Sequence, residues 1–363
     1  MQAMSYLRRG PAADTTQAGF VALKALERPW IGGYLLHEGR TVPVAKTSLS
    51  LRDRLGSLAA RWGFRRMRHA VLPGLYAAGK PDRASPVFVT ANYKMSFDAL
   101  RSSLEGVDAW MLVLDTKGIN VWCAAGKGTF GTGELVRRVA SAALSKVVDH
   151  RTLILPQLGA SGVSAPETAR RSGFRVEWGP VRASDLPAYL AAGRVKDARM
   201  REVTFALPER MAVAPIEIVH SWPFALAALA LALLLGLPAN GQWIARAGPL
   251  AASLLGAIPV GTVLFPALLP WIPSRPFIVK GAFLGIAWSV FCAAAFSFPP
   301  ITALGVLLVT APVSAFLAMN FTGSSTFTCQ EGALAEVERG FWPMTVSAAA
   351  GLIALTIGRL IGA

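Results

Sequence analysis

One cysteine of this sequence, Cys123, ends the stretch "NVWC" (120–123) and precedes the small-residue segment "AAGKGTFG" (124–131). If a helix begins here, its unpaired backbone N–H groups and the nearby Lys127 favour a thiolate, the form of cysteine that binds metals and attacks electrophiles. Small residues beside the thiolate would let a large planar group lie close to the backbone. The alternative is a buried structural cysteine, the commoner role of a single cysteine. The segment therefore indicates either a thiolate site or a packing residue.

The glycines of the same segment match a second pattern. The stretch "GKGTFG" (126–131) fits G-x-G-x-x-G, a dinucleotide-binding turn, with "GINVW" (118–122) as the strand before it and Asp149 about 20 residues further on. Because Cys123 has no role in that pattern, a membrane-bound dinucleotide-dependent oxidoreductase is kept as an alternative. A phosphate-binding P-loop is excluded, since Val121 stands where its first glycine is needed and Gly128 follows Lys127.

The elements that must position this segment alternate between strands and helices. Four short apolar runs are typical of strands: 86–91, 109–115, 152–156 and 174–178. Four helical patterns lie between and after them: 96–104, 133–147, 165–172 and 183–192. This alternation predicts a parallel sheet with helices on its faces.

The region before these runs is less informative. Residues 1–45 show little pattern, and no element is predicted there. Residues 46–70 form a basic amphipathic stretch. It fits a helix on the membrane surface, a lid on the domain or a solvated helix.

Charged residues are distributed unevenly along the chain. The 363 residues carry a net charge of +15, yet residues 222–363 contain only 5 basic and 3 acidic residues. No basic stripe is interleaved with aromatic residues, so we expect no binding to nucleic acid. The positive charge instead favours cytoplasmic retention of the N-terminal part and contact with anionic lipid.

Five apolar stretches fill the C-terminal part, each near the ~20 residues that cross a bilayer as a helix: about 222–237, 247–269, 277–298, 301–321 and 342–361. The first reaches full length only if it starts near Ile216. We predict a multi-pass protein of the cytoplasmic (inner) membrane, with the N-terminal part and the loop 322–341 in the cytoplasm. Internal prolines are expected to kink the spans: Pro249, Pro259, Pro266 and Pro312. The absence of acidic residues within the stretches argues against a transporter.

The octet "NVWCAAGK" (120–127) resembles the signature of the HgcA family, the membrane-anchored corrinoid proteins of microbial mercury methylation. Segments 89–101, 155–165 and 179–190 resemble the corrinoid-binding domain of the corrinoid iron–sulfur protein of acetyl-CoA synthesis. The stretch "MNFTGSSTFT" (319–328) is similar to the family's stretch before the last membrane helix. The resemblance covers roughly residues 60–361.

Two other cysteines need an interpretation. "CQEGALAEVERGFW" (329–342) departs from the family, where a more serine-rich, basic stretch is expected. Cys329 within it is interpreted as an ordinary loop cysteine or as a thiol that helps to bring a metal ion in. Cys292, in the middle of an apolar stretch, is interpreted as a packing residue.

The resemblance implies a Rossmann-like α/β corrinoid-binding domain followed by an all-α transmembrane domain with five helices. It implies that cobalamin binds with its own base displaced, and that the thiolate of the catalytic residue Cys123 is the lower axial ligand of cobalt. A thiolate donates electrons strongly and favours departure of the methyl group as a carbanion equivalent, which soft Hg(II) accepts to give methylmercury.

The resemblance also implies partners. Three dispersed cysteines cannot hold a four-cysteine cluster, so electrons are expected from a dicluster 4Fe–4S ferredoxin-like protein similar to HgcB. The methyl group is expected from a methylated folate through another protein. The alternative activity is a corrinoid methyl carrier for another metal or metalloid, or for one-carbon metabolism.

The resemblance assigns corrinoid contacts to four segments: Thr90 and Asn92; Asn120, Val121, Trp122, Cys123, Ala124, Ala125, Gly126, Lys127, Gly128, Thr129 and Phe130; Leu158, Gly159, Ala160, Ser161, Gly162 and Val163; and Gly179, Pro180 and Val181. Asn120 and Trp122 are expected to hold the turn that carries the cysteine. Thr90, Asn92 and the loop 158–163 are expected to line the lower face and the nucleotide tail. The predicted segments of the chain are 1–45, a corrinoid domain at 46–207, a linker at 208–221 and the transmembrane domain at 222–363.

Overall fold

The structure, a computed structural model, describes residues 28–237, 243–325, 327 and 330–361. Among these, residues 28–60 and 64–203 form one compact unit, the α/β unit, and residues 61–63 and 204–361 form a second, the helical unit. The predicted order of an α/β part followed by a region of apolar helices is confirmed. Residues 1–27 of the unpatterned segment and Cys329 lie outside the described residues.

The α/β unit is built on one sheet of described strands: β1 (Ile31–His37), β2 (Arg40–Ala45), β3 (Gly74–Ala78), β4 (Val87–Ala91), β5 (Ala109–Leu114), β6 (Thr152–Leu155) and β7 (Arg175–Trp178). Its helices are α1 (Leu51–Arg61), α2 (Lys94–Ser102), α3 (Val121–Gly126), α4 (Thr132–Ser141), α5 (Leu144–Val147), α6 (Ala165–Ser172) and α7 (Leu186–Ala191). Ala143, with a positive φ of 44°, breaks the predicted helix 133–147 into α4 and α5.

The sheet has the order β1-β2-β3-β5-β4-β6-β7 and is mixed, whereas the sequence predicts a parallel sheet. β1 and β2 form an antiparallel hairpin, and β3 pairs antiparallel with β5. The hairpin turns at Glu38 and Gly39, both with positive φ (50° and 71°). Glu-Gly is a weaker turn signal than Asn-Gly or Asp-Gly, so the sequence pattern missed this hairpin.

The four remaining strands are parallel and have the order β5-β4-β6-β7. From β4 the chain passes to β5 on one side, and β6 then pairs with β4 on the other side. This reversal is the switch point of a doubly wound sheet, where ligands bind beyond the carboxyl ends of the strands.

Alternate strand residues pack on the two faces of the sheet, as the period of a strand requires. On one face Leu112 joins Ala124 of α3 and Leu135 of α4 in a core. On the other face Met111 joins Phe97 of α2 in a second core. The two faces therefore hold α3 and α2 at fixed positions on either side of the switch point.

Helix α1, within the basic stretch 46–70, is attached to the unit through a buried ion cluster, formed by Asp53, Lys94, Asp98 and Arg101. Lys94 Nζ lies 2.8 Å from Asp53 Oδ1 and 2.5 Å from Asp98 Oδ2. Arg101 lies 3.0 Å from Asp53 Oδ2 and 2.7 Å from Asp98 Oδ1. Burial alone would raise the pKa of Asp53, but Lys94 and Ser50 hold that pKa well below its usual range. Asp53 therefore fastens this stretch to α2.

The helical unit contains α8 (Leu207–Met211), α9 (Ala214–His220), α10 (Trp222–Gly236), α11 (Trp243–Pro259), α12 (Phe265–Leu268), α13 (Phe277–Ala295), α14 (Pro300–Asn320) and α15 (Gln330–Leu360). Within the described residues, four helical stretches are long and apolar enough to cross a membrane: 244–268, 277–295, 300–320 and 331–360. The pair formed by 207–220 and 222–236, bent by 53°, would make a fifth.

Two segments that were predicted as connections between elements are helical. The linker 208–221 is occupied by α8 and α9, and residues 330–341 of the predicted loop 322–341 are the first turns of α15. Glu331, Glu338 and Arg339 lie on the exposed surface of this helix.

The helices change locally at Pro259 and Pro312, whereas α11 runs through Pro249 without a break. A π-helical turn, Val260–Leu264, follows Pro259 and separates α11 from α12. Pro312 lacks the N–H that would bond to the carbonyl of Leu308, and Ser347 Oγ donates to that carbonyl at 3.0 Å instead.

Two cations are buried near the end of α12, and we call Arg210 and Lys280 the buried cation pair. Lys280 Nζ donates to the carbonyl of Leu269 at 2.7 Å. Arg210 donates to the carbonyls of Phe205 at 3.0 Å and Ala267 at 3.3 Å. Carbonyl dipoles at a helix C-terminus attract positive charge, so the end of α12 contributes to the stabilisation of both cations, and Phe205 contributes a further carbonyl to Arg210.

Candidate functional site

The predicted site residues follow the carboxyl ends of the four parallel strands. Asn92 follows β4, segment 120–130 comes after β5, loop 158–163 comes after β6, and segment 179–181 follows β7. Parallel strands end at one edge of the sheet, so all four segments lie at the edge that contains the switch point. The sheet thus brings the residues of distant sequence segments to one place.

Cys123 lies in the first turn of α3. Asn120 precedes the helix with extended backbone, and its Oδ1 accepts a hydrogen bond from Cys123 N at 2.9 Å. This N-cap satisfies one of the free N–H groups of the turn. Cys123 is half-buried and Trp122 is exposed by 36%. The thiol is therefore held on a capped turn that remains accessible.

Asn92 fixes the loop that leads to this turn. It is 6% exposed, and its Oδ1 accepts hydrogen bonds from the backbone N–H groups of Thr116 (3.1 Å) and Gly118 (3.0 Å). The hydroxyl of Thr116 lies 2.8 Å from the same oxygen. Asn92 therefore acts by positioning the 116–120 loop, and through it Cys123.

The small residues after Cys123 form an open surface. Gly126, Lys127 and Gly128 are exposed, and a Cβ built on either glycine would meet no atom within 4 Å. Gly128 has a φ of +75°, which glycine adopts at little cost. A broad, flat group can approach the backbone here without meeting a side chain of these two residues.

The loop 158–163 packs directly against this segment. A Cβ on Gly162 would lie 2.8 Å from the Cα of Ala125, and one on Gly159 would lie 2.5 Å from the ring of Phe130. Both contacts are closer than real Cβ atoms allow, so only glycine permits this approach.

Several of the predicted contact residues lie in the core. Among those with apolar side chains, Ala124, Ala125, Phe130 and Val163 are each 5% exposed or less. They support the surface formed by Gly126 and Gly128 and the loop 158–163.

The dinucleotide alternative does not agree with this geometry. That motif places its glycines directly after a strand. Here residues 121–126 form α3, so the glycines follow a helix and the predicted strand 118–122 is not present.

A cavity of about 350 Å³ lies at the same edge of the sheet. Its walls come from β4, α2, the turn at 120–122, the segments after β6 and β7, and α7. The predicted site residues Thr90, Asn120, Trp122, Leu158 and Val181 line it. The turn that carries Cys123 therefore forms part of the cavity wall.

Two acidic residues of the site were missed from the sequence. Glu134 Oε1 accepts hydrogen bonds from Asp115 N (2.8 Å) and from Arg138 (2.8 Å), which ties α4 to the end of β5. Burial tends to raise the pKa of Asp115, but Lys117 outweighs it and holds that pKa below its usual range. No sequence motif includes Asp115 or Glu134. The one signal was the predicted end of strand β5, where Asp115 lies.

Residues 65–190 match the family model of the CO dehydrogenase/acetyl-CoA synthase delta subunit. The chain is also similar to subunit gamma of the acetyl-CoA decarbonylase/synthase complex from several archaea. The identity is 37% over 123 residues for Methanopyrus kandleri and 30% over 122 residues for Archaeoglobus fulgidus, in each case 33% of this chain and 26% of the relative. For Methanocaldococcus jannaschii it is 36% over 98 residues, which is 26% of this chain and 20% of the relative.

The matched part thus spans about a quarter of the length of these curated relatives. Together the matches indicate a corrinoid iron–sulfur protein-like domain within the α/β unit. The family model matches residues 65–190, which lie within the α/β unit.

Proposed function

We propose that this chain is a membrane-anchored corrinoid protein of the HgcA type, which transfers a methyl group from cobalt to Hg(II). The observation that carries the proposal is the position of Cys123, half-buried on a capped turn beside an open glycine surface. This turn lies within the segment that is similar to the acetyl-CoA synthase subunits.

The residues of the site fit a corrinoid in two respects. A Cβ on Gly126 or Gly128 would meet no atom within 4 Å, so a macrocycle could approach the backbone there, and the cavity at the same edge of the sheet offers a separate space for a narrower group. Trp122 and the loop 158–163 would flank the bound group. When bound, the corrinoid supplies the cobalt centre that carries the methyl group.

Cys123 is the group of this chain that would touch the metal. Its thiol makes no hydrogen bond to another described residue, so its sulfur is available as a ligand. Asn120 and Asn92 hold the backbone that carries it. Deprotonated, the sulfur would hold the cobalt of the bound corrinoid, whose chemistry would be methyl transfer to a soft acceptor.

The proposal includes partners. A dicluster 4Fe–4S ferredoxin-like protein similar to HgcB would return electrons, and a methylated folate would supply the methyl group through another protein. The four or five apolar spans would hold the chain in the cytoplasmic membrane, with the α/β unit in the cytoplasm.

The test is methylmercury formation by anoxic cells that express the full chain with a dicluster ferredoxin and receive Hg(II). We expect product from the wild type and loss of product in Cys123→Ala. Cys292→Ala is the matched control, because Cys292 is buried within α13 and should leave methylation unchanged. Methylation retained by Cys123→Ala at equal protein level would overturn the role of the thiolate.

The matched relatives favour a second candidate, a corrinoid methyl carrier for one-carbon metabolism or for another metal or metalloid. It shares the site and differs in the acceptor. A wild-type protein that binds corrinoid but forms no methylmercury with its partner would support this candidate.

A further inference from the structure

A second cavity lies within the helical unit, between the start of α13, the second half of α14 and the first half of α15. Its volume of about 640 Å³ is within the ~300–1,000 Å³ of small-molecule pockets. Most of its wall is apolar and includes Val279, Ala315 and Met344. Two arginines, Arg275 and Arg339, also line it. A ligand that fits this wall must therefore combine an apolar part with a negative charge.

The two arginines lie at the same end of the helical unit. Glu336 Oε2 accepts a hydrogen bond from Ile278 N at 3.0 Å, so the first turn of α13 lies against the early turns of α15. Arg275 comes just before α13, and Arg339 follows Glu336 by three residues. The predicted topology places this end of the spans, with the segment 322–341, at the cytoplasmic face of the membrane.

The positive charge at this end has no counter-ion. Arg275 and Arg339 are exposed, and neither makes an ion pair or a hydrogen bond with another residue that the structure describes. Glu336 is the one carboxylate among the described residues of the wall, and it is bonded to the N-terminus of α13, which favours negative charge. The arginines therefore remain available to an anion, and the guanidinium group matches the geometry of a phosphate.

Helix α15 relates the cavity to the depth of a membrane. Its 31 residues span about 46 Å, which is more than the ~30 Å of the hydrocarbon core. Trp342, exposed by 69%, has the amphipathic ring that favours the membrane interface. Along α15 the wall includes Glu336 and Arg339 before this tryptophan, and Met344 and Ser347 after it. The cavity thus continues from the level of the lipid headgroups to the level of the acyl chains.

We infer that this cavity binds one anionic phospholipid of the cytoplasmic leaflet. Its phosphate would lie between Arg275 and Arg339, and one acyl chain would lie along the apolar wall. A free inorganic anion would leave that wall uncovered, and a zwitterionic lipid would leave the charge of the arginines unbalanced. Basic pockets between membrane helices at the cytoplasmic side bind anionic headgroups in this way. The inference concerns the helical unit and is independent of the corrinoid chemistry.

The experiment measures the lipid that binds to the purified full chain in a neutral detergent, by native mass spectrometry. The chain is titrated with phosphatidylglycerol, which is anionic, or with phosphatidylcholine, which is zwitterionic. Each basic side chain near an anionic lipid contributes about a fivefold factor in binding. For two arginines we expect phosphatidylglycerol to bind about twentyfold more tightly, with one tightly bound molecule per chain. Equal affinities for the two lipids would overturn the inference.

Arg275→Gln and Arg339→Gln test the charged part of the wall. Each should weaken the binding of phosphatidylglycerol about fivefold and leave that of phosphatidylcholine unchanged. Arg246→Gln is the matched control, because Arg246 is an exposed arginine of α11 outside this cavity wall. A phosphatidylglycerol affinity that is the same in all three variants and in the wild type would overturn the assignment of the site.

Ala282→Phe tests the apolar part of the wall. Ala282 is half-buried there, so a phenylalanine would occupy the space of the acyl chain while both arginines remain. We expect loss of the bound phosphatidylglycerol, with a circular dichroism spectrum like that of the wild type. Inorganic phosphate, added as a competitor, should not displace the lipid from the wild type. Displacement by inorganic phosphate, or full binding of the lipid by Ala282→Phe, would indicate a site for a free anion and overturn the inference.

Discussion

The two units of this protein bury charges in different ways. In the α/β unit, the buried ion cluster balances two carboxylates, Asp53 and Asp98, with two cations, Lys94 and Arg101. In the helical unit, Arg210 and Lys280 of the buried cation pair donate their hydrogen bonds to backbone carbonyls, and Arg210 also lies over the ring of Trp271. One unit balances buried charge with opposite charge, and the other stabilises it with carbonyl dipoles, including those of Ala267 and Leu269 at the end of α12.

This difference follows from what surrounds the charges. Each charge of an ion cluster stabilises its neighbours. When one is removed, the remaining charges have fewer partners of opposite sign in a medium of low polarity. A helix end is a partial charge that is fixed by the backbone and remains after the cation is gone. Removal of one cation should therefore cost more in the cluster than in the pair.

Lys94→Met should have the largest effect. It leaves Asp53 and Asp98 with Arg101 alone, and breaking a buried ion pair on one side costs about 3–5 kcal/mol. The measurement is the free energy of unfolding of the α/β unit in the full chain in detergent, followed by urea titration. Lys80→Met, at an exposed position, is the control. A loss no greater than that of the control would show that the cluster does not fasten α1.

Lys280→Met should have an intermediate effect. The carbonyl of Leu269 loses its donor, and an unpaired buried acceptor costs about 1–3 kcal/mol. The same titration, applied to the helical unit, measures it, with the exposed Arg246→Met as control. If Lys280→Met costs as much as Lys94→Met, the contrast between the two units is wrong.

The smallest effect is expected from His69, which lies beside the ion cluster. Burial and the charge of Lys94 lower the pKa of His69, against the opposing effect of Asp98 and Asp53. Its Nε2 is buried and has no hydrogen-bond partner among the described residues. The folded state therefore takes up a proton less readily than the unfolded state, and stability should fall as the pH drops below about 6.5.

The check compares melting temperatures of the full chain at about pH 7.5 and pH 5.5, on either side of the ordinary histidine pKa. His69→Gln should reduce the fall in melting temperature, and the exposed His220→Gln should not. An equal fall in wild type and His69→Gln would mean that other groups cause the pH dependence.

Continuous apolar runs made the central strands predictable. β4, β5 and β6 are buried on both faces, and they lie within one or two residues of the predicted runs 86–91, 109–115 and 152–156. The hairpin β1–β2 at the sheet edge was missed, because the exposed positions of β1 hold Tyr34 and Leu36, so its residue types do not alternate, and because its turn lacks a strong signal. The helix over residues 330–341 was missed. Its charged residues lie on an exposed face, so the segment shows no apolar periodicity from which a helix could be predicted.

The candidate site was predictable only in part. The motif at 120–127 located the cysteine turn and its cap, because both lie within a few residues of each other. The role of Asn92 was not visible, since its partners Thr116 and Gly118 are more than 20 residues away in sequence. The contact between the ring of Phe130 and Gly159 also joins residues that are far apart in sequence, so it was not visible in the sequence.

The hydrogen bonds between Asn92 and the 116–120 loop have a consequence for the rate of ligand binding. A loop that folding has already ordered has little freedom left to lose when a ligand arrives. Association should then occur in one kinetic step, limited by encounter, without a slow rearrangement of the cysteine turn. Differences in affinity among related ligands should appear mainly as differences in their residence time.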